Sequence, residues 1–149
     1  MQEMMKNKAI ELLSSGAVSR VLGWKKGDFV YDMTPAVFET KEEIETDFVY
    51  SAFCGANLSK YLVKESRKEG KVLVFLKPCD SYSFAQLLKE HRIIRENVYA
   101  IGIECFGKAD IDAVRAKIAA HADAIAGIGS QTTAISCPQT AKYRRRIQL

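Results

Sequence analysis

Gly70-Lys71-Val72-Leu73-Val74-Phe75-Leu76-Lys77-Pro78-Cys79-Asp80-Ser81 is the stretch on which the fold turns. Its apolar run has no polar alternation, which predicts a strand over 71–76 buried on both faces, with Gly70 as the break before it. Lys77 to Ser81 then leads into a helix through Glu90 that turns Phe84, Leu87 and Leu88 inward, and Asp80 or Ser81 is expected as its N-cap. A second apolar run, Asn97 to Ile103, reads as another buried strand, and Asp110 to Ala122 places Ile111, Val114 and Ile118 at helical intervals. Upstream, Asn57 to Glu69 puts Leu58, Tyr61, Leu62 and Glu65 on one helical face. The order helix, strand, helix, strand, helix implies parallel strands joined by right-handed crossovers. Strands 71–76 and 97–103 are therefore expected side by side at the sheet centre.

The N-terminal third follows the same reading. Met5, Ala9, Leu12 and Leu13 recur at helical spacing and Gly16 stops that helix. Val18 to Gly23 and Asp28 to Phe38 read as two strands or a hairpin with a turn at Lys25, Lys26 and Gly27, and Pro35 favours an edge. Thr40 with Glu43 three residues on is a capping box opening a helix to Asp47. Beyond Ala126 periodicity is lost among Gly127, Gly129, Ser130, Thr132 and Thr133. The expected fold is α/β, a mainly parallel sheet flanked by helices in a single domain over 1–126, with an irregular loop and basic tail over 127–149.

Composition narrows the function classes. The chain has 149 residues, 48% of them hydrophobic and 27% charged, which suits one globular domain with a sizeable core. No apolar run approaches the roughly 20 residues that cross a bilayer, and the N-terminus mixes Glu3, Lys6, Lys8 and Glu11 unlike a secretory signal. No membrane span and a cytoplasmic location are expected. The net charge of +4 is matched by Lys142, Arg144, Arg145 and Arg146, so the body is near neutral and no nucleic-acid surface is indicated. The four cysteines, at 54, 79, 105 and 137, are widely spaced and read as thiols rather than disulfide staples.

In open α/β sheets ligands bind beyond the carboxyl ends of the strands, where helix N-termini favour anions. Lys77 to Ser81 offers a cation, a turn and free amides there, and Glu104-Cys105-Phe106-Gly107-Lys108 lies at the same end of the neighbouring strand. Cys79 and Cys105 are thus expected at one rim of the sheet, unpaired. A helix N-terminus beside Lys77 is a setting that lowers a thiol pKa, while burial as an inert packed thiol is the plainer reading of any cysteine. Asp80 and Ser81 have the plainer reading of caps. His91 and His121, late in helices, read as surface or C-terminal cap residues. No nucleotide-binding Gly-x-Gly-x-x-Gly follows a strand, no Walker loop is present, and no metal site is expected within the chain.

Ala52-Phe53-Cys54-Gly55-Ala56-Asn57-Leu58-Ser59-Lys60-Tyr61-Leu62, Gly70-Lys71-Val72 through Lys77-Pro78-Cys79-Asp80, and Val98-Tyr99-Ala100-Ile101-Gly102-Ile103-Glu104-Cys105 together resemble the N-terminal portion of the deazaflavin-dependent hydrogenase/dehydrogenase beta-subunit family. The likeness spans about residues 10–120. It implies a flavin-associated electron-transfer domain that passes electrons between a hydride carrier and one-electron centres. The resemblance also implies FAD, with Lys77, Asp80 and Ser81 serving its anionic parts and Cys79 and Cys105 facing the redox centre. An iron-sulfur cluster is expected only with a partner, because such clusters ordinarily take four cysteine ligands and the tail offers only Cys137. The implied partner is an iron-sulfur or hydrogenase/dehydrogenase subunit, or a second copy in a homo-oligomer. The alternatives are a non-catalytic α/β binding or assembly module, and a thiol-dependent regulator using Cys79.

Overall fold

The computed structural model describes residues 1–29 and 31–120. The expected boundary at 126, the irregular stretch 127–149, the basic tail, His121 and Cys137 lie outside the described residues.

The elements run α1 (Gln2–Ser14), β1 (Arg20–Lys26), β2 (Met33–Phe38), α2 (Lys41–Asp47), α3 (Ser59–Glu65), β3 (Val72–Leu76), α4 (Pro78–Lys89), β4 (Val98–Gly102) and α5 (Ile111–Ala120). The sheet order is β2-β1-β3-β4. β3 pairs in parallel with both β1 and β4, and β2 closes the other side as an antiparallel hairpin partner of β1. The expected α/β class and the adjacent parallel pairing of the two apolar runs hold. Every residue of β3 is buried, as a continuous Val/Leu/Phe run requires.

β4 differs from expectation. It is the edge strand among the described residues, and only Val98 is fully buried. After Val98 its apolar residues are Tyr99, which is exposed, and Ala100 and Ile101, which are half-buried, so an apolar run alone did not fix a central place. β1 takes the interior position beside β3 instead, buried from Arg20 through Trp24. The hairpin turn also falls later than Lys25 to Gly27. β1 continues to Lys26, paired with Met33, and the turn closes through Gly27 N–H on Asp32 O at 2.7 Å. Pro35 lies on β2, an edge strand, as its missing N–H demands.

Local chemistry sets the helix ends. Thr40 and Glu43 form the capping box of α2. α3 is shorter than the pattern over 57–69. Asn57 Oδ1 accepts the Ser59 amide at its start, and at its end the buried Arg20 guanidinium takes the carbonyls of Glu65 and Glu69 at 2.8 and 2.7 Å. Arg20 also faces the Glu65 carboxylate at 3.3 Å, which ties the start of β1 to α3. Tyr61 is more exposed than its place in the apolar pattern suggested. α4 starts earlier than expected: Lys77 occupies the N-cap position, Pro78 the first turn, and Asp80 and Ser81 lie inside the helix. Proline fits that place because its fixed φ suits the first turn and its missing N–H costs nothing there. At the far end His91 adopts a left-handed φ of 53°, while the His91 and Arg92 amides reach back to Leu88 and Leu87 carbonyls at 3.0 Å. That double return is a Schellman cap, so His91 has the structural cap role expected of it.

The core centres on Trp24, Phe48, Phe75, Leu22 and Leu73, with α1 packed on α2 and α3 on α4. Phe48 contacts Phe38 and Phe75 at centroid separations of 5.7 and 5.9 Å. Gly23 lets this happen: a Cβ there would run into the Phe48 ring and press on Phe38. Gly23→Ala is therefore expected to destabilise the domain by about 1–3 kcal/mol, the usual cost of overpacking a filled core, read as a lower urea midpoint with unchanged slope.

Candidate functional site

Because β1, β3 and β4 are parallel, their carboxyl ends share one edge of the sheet, and the loops leaving β3 and β4 meet there. The segment 49–56 comes up beside them. Tyr50 donates its hydroxyl to Glu104 O at 2.9 Å, and the Ala109 amide bonds Ala52 O at 2.9 Å. Between these walls is a small cavity of about 60 Å³, lined by Tyr50, Cys54, Lys77, Cys79, Cys105 and Lys108 among others. The expectation that Cys79 and Cys105 share one rim as free thiols holds, and buried Cys54 joins them.

Lys77 forms the floor. Its side chain is buried, and Nζ donates to Cys54 O at 3.0 Å and Ala56 O at 2.9 Å while lying 3.2 Å from Asp80 Oδ2. The same ammonium sits 4.4 Å from the centre of the Trp24 ring, and Tyr50 packs on that ring at 5.5 Å. Two carbonyls, a carboxylate and an aromatic face thus surround one buried cation, as a desolvated charge requires. Asp80 is buried too, and its Oδ2 has this ion-pair contact but no aligned hydrogen bond. Ser59 Oγ bonds Asp80 O at 2.8 Å, and Asn57 Nδ2 bonds Ser83 Oγ at 2.8 Å, so the loop before α3 is fastened to the first turns of α4.

This arrangement changes the part played by the α4 N-terminus. Pro78 has no N–H, and the Asp80 and Ser81 amides both turn back to Lys77 O. Ser81 is exposed, with its hydroxyl on Pro78 O at 2.7 Å. Asp80 and Ser81 are therefore not N-caps, and Lys77 and Asp80 compensate one another's charge. The cation left unburied at the cavity is Lys108, whose stem lies across Gly55 where a Cβ would collide with it.

The three described thiols differ. Cys54 is buried with its Sγ between Ser51 N–H at 3.3 Å and Val49 O at 3.7 Å, and burial pushes its pKa up. Cys79 is exposed in overall area, yet partial burial and then the Asp80 carboxylate also raise its pKa, outweighing the lowering effect of Lys77. The expected depression of the Cys79 pKa is thus reversed, because the nearby cation comes paired with an anion. Burial drives Tyr50 well above the ordinary phenol range, leaving it a neutral donor. Among the described residues no group of three or more His, Cys, Asp or Glu side chains is arranged to hold a metal ion. Tyr50, Cys54 and Lys108 were not among the expected site residues. The available signals were Cys54-Gly55 at the mouth of the loop before α3 and, for Lys108, its place in the candidate segment Glu104 to Lys108; nothing local marked Tyr50.

No family model matches the sequence. The chain is 38% identical over 96 residues to the beta subunit of F420-dependent formate dehydrogenase 1 of Methanococcus maripaludis, a match covering 64% of this chain and 24% of that protein. It is 32% identical over 96 residues to the corresponding beta subunit of Methanocaldococcus jannaschii, covering 64% of this chain and 25% of the relative. The match thus spans about a quarter of the length of these relatives. A chain of the F420-reducing [NiFe] hydrogenase complex of Methanosarcina barkeri has a similar fold, with a TM-score of 0.61 and 18% identity over 81% of this chain and 43% of that one. The resemblance to deazaflavin-dependent hydrogenase/dehydrogenase beta subunits is borne out.

Two outcomes follow from the site's geometry. Lys77→Met strands the Asp80 carboxylate without its cation, and urea unfolding is expected to show a loss of about 3–5 kcal/mol, the cost of breaking one side of a buried pair. In the wild type, thiol labelling is expected to reach Cys79 before Cys54. The Cys79 rate should rise with pH through a midpoint above that of an unhindered thiol, because its thiolate is the disfavoured form.

Proposed function

We propose that this chain, a relative of deazaflavin-dependent dehydrogenase and hydrogenase beta subunits, is a redox domain that contributes one wall of a flavin-type cofactor site in an oxidoreductase assembly. The observation that supports this reading is the convergence of Cys54, Cys79 and Cys105 on one cavity at the carboxyl edge of a parallel sheet. Such an edge is where α/β folds place ligands.

The fit to a cofactor is one-sided. A cavity of about 60 Å³ is far below the roughly 300 Å³ at which pockets begin to enclose a drug-sized ligand. A planar ring system would rest across the mouth, against Cys79, Cys105 and Tyr50, with its outer face open to a second wall. When bound, a flavin or deazaflavin supplies hydride chemistry. In this arrangement Lys77 and Asp80 are positioning residues that hold the Cys54 loop and α4 in register, Lys108 is the cation available to an anionic group, and Tyr50 offers a fixed neutral hydroxyl. The relatives are named as F420-dependent, which favours a deazaflavin over the FAD expected from sequence. An iron-sulfur centre belongs to a partner subunit in this scheme.

The second wall comes from a hydrogenase/dehydrogenase-type partner or a second copy of the chain. Phe106, 76% exposed in the loop after β4, and Phe29, 59% exposed at the β1 to β2 turn, lie at the carboxyl edge where such a wall would dock. Among the described residues no helix is long and apolar enough to cross a membrane. The committed Lys77 and the small cavity favour a second reading, an assembly module that keeps the fold without a cofactor.

Titration of the purified chain with FAD and with the deazaflavin coenzyme, followed by visible absorbance and size-exclusion chromatography, separates these readings. The expected result is weak or no binding by monomer and tighter binding in a self-associated or partner-bound form. A strict monomer with a submicromolar dissociation constant would refute the one-wall scheme, and failure to bind in any assembled form would leave the assembly module.

A further inference from the structure

We infer that Cys79 and Cys105 form a reversible intramolecular disulfide across the mouth of the thiol cavity, a redox-controlled modification site that does not depend on any bound cofactor. The register of the sheet sets up this pair. Leu76 of β3 and Gly102 of β4 are paired neighbours, and each cysteine follows its strand end by three residues. Neighbouring strands lie about 4.8 Å apart, so the two chains leave the sheet side by side before each reaches its cysteine. Both side chains then line the same cavity of about 60 Å³, and they are close enough for the charge of one to disfavour that of the other.

The two halves differ in freedom. Cys79 is fixed in the first turn of α4 and exposed to solvent. Cys105 sits in the segment between Gly102 and Ile111, which has no regular structure, and its thiol makes a long contact to Gly107 O at 3.8 Å. Gly107 has a φ of 123°, a conformation that glycine adopts without strain. Cys54, the third thiol, is held from this chemistry by burial and by its contacts to Ser51 and Val49.

The oxidant is a small disulfide, RSSR. The exposed Cys79 thiol attacks it, forming a Cys79–SR mixed disulfide and releasing one RSH. The Cys105 thiol then attacks the Cys79 sulfur, forming the Cys79–Cys105 bond and releasing the second RSH. Two protein sulfurs lose two electrons in total, the oxidant's two sulfurs gain them, and the two thiol protons leave on the RSH molecules. Excess thiol reverses the sequence.

Dilute full chain incubated with oxidised glutathione, then alkylated and mapped by mass spectrometry, tests the pairing. The expected products are a Cys79–Cys105 cross-linked peptide, free alkylatable Cys54, no intermolecular dimer on non-reducing gels, and full recovery of thiols on reduction. Cys105→Ser is expected to stop at the glutathione adduct on Cys79, and Cys79→Ser to give no bridge, each with unchanged far-UV circular dichroism. A persistent wild-type Cys79 adduct, or a bridge from either cysteine to Cys54, Cys137 or another chain, overturns the inference. Because the readout is thiol connectivity, a chain that binds no flavin leaves this test intact.

Discussion

The ammonium of Lys77 is buried at the point where β3 ends and α4 begins, and it joins three parts of the chain that are far apart in sequence. It caps the carbonyls of Cys54 and Ala56, faces the Asp80 carboxylate and lies over the Trp24 ring. A charge with so little solvent is tolerated only when each of its donors has a partner, so the Cys54 loop, the first turn of α4 and the middle of β1 must arrive together. The cavity rim is a consequence of that requirement.

The same pairing decides what the rim can do. A free lysine at a helix N-terminus would invite an anion and activate the adjacent thiol. With Lys77 paired to Asp80 that pull on the thiol is outweighed, and the carboxylate becomes one of the influences that hold Cys79 in its neutral form. Electrostatic attraction at the rim passes to Lys108, which owes its place across the loop to the missing side chain of Gly55. The site is thus a set of thiols over a compensated floor, open on one side, in keeping with a domain matching only a quarter of the length of its relatives.

Much of the scaffold was legible because short-range physics determines it. The unbroken run Val72 to Leu76 has one stable environment, the double-sided sheet interior. The Thr40 and Glu43 capping box closes within four residues, and Pro35 can sit only where its missing N–H is harmless. The alternation of helices and strands then compelled parallel pairing of β3 with β4, which brought Cys79 and Cys105 to one edge.

What the sequence could not decide were the features that depend on partners distant along the chain. β1 rather than β4 holds the second interior place, because burial of an apolar strand depends on which strand lies on its other side. Helix α4 begins at Pro78 rather than at Asp80 or Ser81, because Asp80 is drawn into the interior by Lys77 and by Ser59 from α3. Tyr50 and Cys54 reach the cavity across separations that no local pattern records. The sequence alone determined the elements, their alternation and the end of the sheet at which chemistry must gather. Only the tertiary structure decided which charges there remain free, since a buried ion pair exists only when folding removes the water that would otherwise keep its members apart.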